Sequence, residues 1–273
     1  MLQYNRQAID ARDRPTALVC IAKDEPDFRE WVLYHQKLGF DHIVVYQNDW
    51  DCGMNMPGLI KRRISGRGVQ VAAYNHFLQD SNYYSWAAFL DCDEFLVLKK
   101  HPNVNDLFLD HEEKPGLAVN WCFFGSVQEI VGWDSSVLRR FVRRGNANQH
   151  IKMILNFRHQ HKTPEGRYLI VNPHHPLSNL QDTNGNVVSG PFNPNGPIDQ
   201  AQINHYYHKS LEEWEQKRRN PRGDGVIHGT RRTWFDNRKC DQTILDISAR
   251  DFLYGSESRD ILKLFSPLVR SDT

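Results

Sequence analysis

The chain lacks most of the features that fix a fold from outside its core. Its 273 residues hold five cysteines, Cys20, Cys52, Cys92, Cys122 and Cys240. The number is odd, the spacing is wide and no CxxC pair occurs, which argues against a disulfide framework or a structural zinc site. Reduced, mostly buried thiols are the expectation. No window approaches the ~18 apolar residues that cross a bilayer. Met1 opens the polar segment MLQYNRQAIDARDR, which has no apolar leader, so the expected compartment is cytoplasmic, with peripheral membrane contact left open. An excess of one charge is also missing. Thirty-four basic residues face 33 acidic ones, which speaks against a polybasic nucleic-acid binder. Internal repeats and low-complexity tracts are absent. What is well represented is Trp (7), Tyr (10) and His (13), a composition suited to a polar, aromatic-lined cleft. The length fits one α/β domain with an extra segment.

Along the chain, Thr16 to Ala22 is a short apolar, partly β-branched run that predicts a buried strand. Asp27 and Glu30 stand at capping-box spacing. Phe28, Trp31, Val32, His35 and Leu38 then share a helical face that stops at Gly39. His42 to Tyr46 predicts a second strand before the polar Gln47 to Asp51, completing a βαβ unit. The pattern continues with an amphipathic helix over Met56 to Ile64 and a strand over Val69 to Ala73. A helical piece over Asp80 to Trp86 leads to a strand over Ala87 to Leu90, which runs into Asp91-Cys92-Asp93-Glu94-Phe95. Alternating strands and helices predict an α/β fold with a mostly parallel sheet and helices on both faces. Ligands bind beyond the carboxyl ends of such strands, a rule that sets Lys23–Glu25, Asn48–Asp51 and Asp91–Asp93 along one edge. The second half is less regular. It predicts strands over Gly116 to Phe124 and Ile151 to Phe157, loops from Asn172 to Pro197, and a charged helix over Leu211 to Arg219 capped by Ser210 with Glu213.

The acidic pair Asp91/Asp93 carries the chemistry. If strand geometry persists, residues two apart point to one side, and two close carboxylates repel unless a cation or proton intervenes. A hard divalent ion with open positions for phosphate oxygens answers that need. An acidic turn in water is the bland alternative, but the apolar Ala87-Ala88-Phe89-Leu90 before the pair does not suit a surface strand. Lys152 lies in the apolar run His150 to Ile154. A buried lysine is costly without a partner, so it either points to the cleft or snorkels from an edge strand. Between Lys217 and Lys239 the chain is rich in Lys and Arg, a charge suited to a diphosphate or simply to a solvated face. A zinc hydrolase built on His159, His161, His174 and His175 lacks ligand spacing.

Several separated pieces carry a family resemblance: Ile21-Ala22-Lys23-Asp24-Glu25 with Trp31 to His35, then Asp91 to Phe95, then Trp121 to Ser126, then Asn204 to Trp214 with Lys217. In order and spacing the chain resembles GT-A glycosyltransferases of the family-2-like and family-92-like group. The family often has Arg-Asn-Glu where this chain has Lys23-Asp24-Glu25. The resemblance implies a GT-A domain over residues 1–223, with 224–273 a C-terminal helical extension packed on it. It also implies a metal-dependent enzyme that moves a hexose or similar sugar from a nucleoside-diphosphate sugar to a hydroxyl of a glycan or glycolipid acceptor, in surface polysaccharide or glycoconjugate synthesis.

By that resemblance Asp93 ligates Mn²⁺ or Mg²⁺, Asp91 contacts the ribose or reaches the metal through water, and His205 completes the metal site, with His208 as alternate. Lys23, Glu25, Asp49, Lys152, Lys217 and Arg222 are the remaining donor-binding candidates. An inverting mechanism needs a general base, for which Glu129 and Asp134 rank ahead of Asp199; a retaining one needs none. Trp121, Phe123, Phe124 and Trp133 are candidates to stack on an acceptor ring or to pack in the core. Two other readings stand beside this one. A sugar-nucleotide nucleotidyltransferase is disfavoured by the glycine-free Ala22 to Pro26. A non-catalytic carbohydrate-binding protein would bind glycan without nucleotide or metal.

Overall fold

A computed structural model describes residues 14–125, 136–219 and 243–255. Four parallel strands make its first half: β1 (Ala17–Ala22), β2 (His42–Asn48), β3 (Leu59–Ile64) and β4 (Trp86–Phe89), in the order β3–β2–β1–β4. The strands β1, β2 and β4 are apolar on both faces, as a strand covered twice must be. One face sends Leu18, Cys20, Ile43, Val45 and Ala88 against Phe28, Trp31 and Val32 of α1 (Phe28–Lys37). The other sends Val19, Val44, Tyr46 and Phe89 against Ala73, Tyr74 and Phe77 of α2 (Gln70–Phe77). The helical face Phe28, Trp31, Val32, His35 and Leu38 is buried, as its spacing predicts.

Three local expectations are corrected. Met56 to Ile64 is no helix: Gly58, at φ 75°, turns the chain, and Leu59–Ile64 pairs parallel with Ile43–Asn48. Val69 to Ala73 is no strand: it starts α2, because Ala73, Tyr74 and Phe77 reach one apolar face only at helical spacing. A short alternating run such as Val-Gln-Val-Ala-Ala fits either period. Asp27 does not cap α1. Its carboxylate takes Lys209, with Arg140 at 3.8 Å, while the carboxylate of Glu30 accepts the Val137 N–H at 2.8 Å.

The second half turns the sheet from parallel to mixed. After a 3₁₀ turn (Leu78–Tyr83) and β4 come β5 (Glu94–Leu98), α3 (Val104–Asp110), β6 (Gly116–Gly125), α4 (Val137–Arg140) and the long β7 (Arg143–Asn156). Strand β7 lies between β4 and β6, antiparallel to both. The short pair β8 (Ile170–Asn172) and β9 (His175–Pro176) is separate; β10 (Leu180–Gln181) and β11 (Val187–Val188) extend the main sheet beyond β6. Then β12 (Ala201–Lys209) runs parallel to β6 and antiparallel to β5. The expected mostly parallel sheet is therefore, among the described residues, a mixed sheet of eleven strands. The physical reason is that an antiparallel neighbour needs no crossover helix, so β7 could fill the slot beside β4 directly.

Strand β12 leads into α5 (Leu211–Arg219) through the capping box the spacing predicts. Ser210 Oγ accepts the Glu213 N–H at 3.3 Å, and Glu213 accepts the Ser210 N–H at 3.0 Å. Glu213 also takes both ends of the Arg140 guanidinium, at 2.8 and 2.9 Å. Of the segment after residue 223, β13 (Ile244–Leu245) pairs with β7, and α6 (Ser248–Tyr254) places Ala249 in the core and Phe252 edge-on to Tyr34. No helix among the described residues is long and apolar enough to cross a membrane.

Candidate functional site

The parallel register brings the carboxyl ends of β1, β2 and β4 to one edge. Beyond β4 the chain does not stay extended. Glu94 N–H donates to the Asp91 carbonyl at 3.0 Å, closing a tight turn into β5. That turn corrects the expectation that Asp91 and Asp93 share one side; each carboxylate finds its own cation.

Asp91 faces β7. One of its oxygens accepts Lys152 Nζ at 2.7 Å and the other Gln70 Nε2 at 2.6 Å. Lys152 is wholly buried in the sheet and also lies 3.1 Å from Glu94. Burial works against its charge, but Asp91 and Glu94 together hold its pKa above the ordinary lysine value. For Asp91 the balance runs the other way: burial would raise its pKa, and Lys152 brings it below the usual carboxylate range. Glu94 has no exposed surface, and burial pushes its carboxyl well up despite Lys152. The choice left open for Lys152 thus resolves to an ion pair behind the acidic turn.

Asp93 faces β12 and α5. Lys217 reaches over from α5 to one oxygen, and His205 Nε2 stands 3.5 Å from the other. Burial alone would raise the Asp93 carboxyl; Lys217 and His205 override it and hold it well below the usual range. Lys217 also donates to the Tyr207 carbonyl at 3.3 Å and lies 4.5 Å from the centre of that ring. The ring of His205 sits edge-on to Trp121 at 4.3 Å and stacks on Phe123 at 5.3 Å; burial lowers its pKa, against the pull of Asp93. Phe124 packs on Tyr206 at 5.0 Å in the core. Glu25, half-buried at the end of β1, completes the group. Burial and then the nearby Asp93 raise its pKa to about 7, against the pull of Lys209 and Lys217.

Two other candidates sit at the rim. Lys23 is half-buried beyond β1; Asp49 is exposed beyond β2, with the Gly66 N–H 3.5 Å from its carboxylate. Asp24, Asp49 and Lys209, each next to or at the end of a strand by this edge, hold positive φ of 52°, 51° and 50°. Such backbone is costly for residues other than glycine and gathers at functional sites. Asp199 is not part of this group. It precedes β12, six residues from His205 and so roughly 20 Å of extended chain away, and pairs at 3.2 Å with the exposed Lys100. Glu129, Asp134, Trp133 and Arg222 lie outside the described residues, as does the side chain of His208.

Sequence reasoning missed Gln70, Glu94 and Lys209. Glu94 was in view inside Asp91 to Phe95; Gln70 and Lys209 reach the site only through the packing of α2 and the end of β12.

Among the described residues no cluster of three or more His, Cys, Asp or Glu stands ready to hold a metal ion. Two donors do meet. A carboxylate oxygen of Asp93 and a ring nitrogen of His205 face each other, and the opposite ring nitrogen is buried without a hydrogen-bond partner among the described residues. That set fits a hard divalent ion that takes one or two protein ligands and fills its shell with phosphate oxygens and water.

The strand ends of this α/β sheet thus gather Glu25, Asp91, Asp93, Glu94, Lys152 and Lys217 along one edge. The chain belongs to glycosyltransferase family 92, whose model matches residues 61–239, about two-thirds of the chain. The match begins in β3 and includes the turn at Asp91–Asp93, His205 and Lys217. A search of curated proteins finds no match. Family membership assigns glycosyl transfer as the class of reaction.

Proposed function

We propose that this glycosyltransferase has a GT-A-type active site and is metal-dependent, moving a hexose-type sugar from a nucleoside-diphosphate donor to a hydroxyl of a glycan or glycolipid acceptor. The observation that carries the reading is Asp93, set just beyond a buried parallel strand and flanked by His205 and Lys217. Asp93 and His205 would hold Mn²⁺ or Mg²⁺, which when bound supplies Lewis-acid stabilisation of the charge gathering on the diphosphate.

The chain's own residues do the rest. Lys217 is held charged by Asp93, against its burial, and offers a second positive group beside the same phosphates. Groups that meet the leaving charge only as it develops accelerate transfer, because they bind the transition state better than the ground state. Asp91, locked to Lys152, fixes the turn that presents Asp93. Lys23, Glu25 and Asp49 line the donor side of the edge, with Arg222 assigned to the diphosphate. For inverting transfer, Glu129 or Asp134 is the base. Asp199 drops behind them because of its distance from His205. The proposed setting is the cytoplasm, at the surface of a membrane where a glycolipid acceptor is used.

Asp93→Asn should lower donor turnover by at least 100-fold with unchanged circular dichroism, and EDTA should abolish wild-type turnover until Mn²⁺ or Mg²⁺ is restored. Transfer undiminished in EDTA would rule out the metal dependence.

A further inference from the structure

One carboxylate oxygen of Glu94 is accounted for. Oε2 accepts the Asp91 N–H at 2.8 Å and faces Lys152 Nζ at 3.1 Å. The other, Oε1, is buried with no hydrogen-bond partner among the described residues. It faces His205 Nδ1, 3.8 Å away, which is buried and unpartnered too. Leaving a buried polar atom unpaired is costly, and an approach of less than about 1 Å would join the two in a normal hydrogen bond. The opposite nitrogen of the same ring, Nε2, is the one beside Asp93.

We propose that Glu94 is the positioning residue of the metal site, accepting the Nδ1–H of His205 so that the Nε2 lone pair is presented to a divalent cation shared with Asp93. The inference rests on the metal reading above. A cation on Nε2 would take that nitrogen's lone pair, so the single proton of the neutral ring would stand on Nδ1 and need an acceptor. Metal-bound histidines recurrently use a carboxylate for this purpose, which fixes both the tautomer and the ring plane. Here the two residues are direct partners in the antiparallel pairing of β5 with β12, so backbone register, rather than a loop, sets their separation. Trp121 and Phe123 hold the ring from its sides. Lys152 and the Asp91 N–H hold the far oxygen and work against the burial that raises this carboxyl, leaving Oε1 aimed at the ring.

The test compares wild type, Asp93→Asn and Glu94→Gln by titrating Mn²⁺ in the presence of inorganic pyrophosphate, with free Mn²⁺ read by electron paramagnetic resonance. Metal-free wild-type protein is then examined by ¹⁵N nuclear magnetic resonance for the position of the His205 ring proton, which Glu94 would draw to Nδ1 and Asp93 to Nε2. Glu94→Gln should weaken Mn²⁺ binding about 10–100-fold, Asp93→Asn more, and the metal-free ring should carry its proton on Nδ1. Equal affinity in wild type and Glu94→Gln, or a proton on Nε2, overturns the assignment while leaving the metal site standing. Absence of Mn²⁺ binding by wild type overturns the metal reading itself, and this inference with it. Should Glu94→Gln fail to fold, the ring proton of the metal-free wild type decides, since a purely structural Glu94 would not draw it to Nδ1.

Discussion

Lys152 carries a full charge with none of its surface exposed, in the middle of a sheet. It can do so because two carboxylates meet it there, Asp91 at 2.7 Å and Glu94 at 3.1 Å. Removing the lysine leaves Glu94, which has no exposed surface, without its cation, and breaking a buried pair from one side costs about 3–5 kcal/mol. Lys152→Met should therefore lose about that much stability in urea denaturation at pH 7. A change below about 1 kcal/mol would mean the acids find other partners. The sequence made Lys152 conspicuous as a lysine in an apolar run, and Asp91 and Asp93 conspicuous after an apolar strand. It did not show that Lys152 and Glu94 meet, because that contact depends on β7 lying between β4 and β6. Nor did it separate the two acids: their divergence comes from a single turn, closed by one backbone hydrogen bond.

At the scale of the element, α1 is tied into the core by His35. Its Nδ1–H donates to the Trp31 carbonyl at 2.9 Å, and its Nε2 accepts the Leu96 N–H at 3.3 Å. Both contacts need the neutral ring, and burial lowers its pKa from 6.5 to about 3. The unfolded chain thus binds a proton more readily than the folded one between those values, so stability rises with pH across the window and is lost as pH falls through it. Between pH 7 and pH 5 this one residue should remove about 2 kcal/mol. Replacing it by glutamine should flatten that part of the stability profile, as read by denaturant midpoints at the two pH values. The face that buries His35 was legible because five apolar or aromatic residues recur at helical spacing. The same kind of reading failed for β3 and α2. Leu-Ile-Lys-Arg-Arg-Ile and Val-Gln-Val-Ala-Ala are too short for either period to prevail, and tertiary packing chose. The capping box at Ser210 was legible since both of its partners lie within one turn, whereas Asp27 at similar spacing went to Lys209 and Arg140, charges contributed by distant segments.

At the scale of the molecule, the parallel half was readable and the mixed half was not. Strand–helix–strand alternation constrains a right-handed parallel crossover, so β1, α1 and β2 followed from pattern alone. No comparable rule places β7, β12 and β5, whose pairings join segments up to about a hundred residues apart. Yet that half supplies Lys152, His205 and Lys217, the partners that give the acidic turn its chemistry.

The parallel half also ends openly. Strand β3 pairs with β2 on one side and closes the order of the main sheet on the other, among the described residues. A bare strand edge invites the same edge of a second copy, and natural sheets discourage this with charge. Lys61 and Arg63 are exposed on β3, and Arg62 between them is held by Asp80 and the Tyr46 hydroxyl. Two copies meeting edge to edge would set these cations against one another. The double substitution Lys61→Thr and Arg63→Thr, which keeps β-compatible side chains but removes the repulsion, should raise light scattering at concentrations where the wild type stays clear. Solubility would then depend on a basic strand on the flank of the sheet.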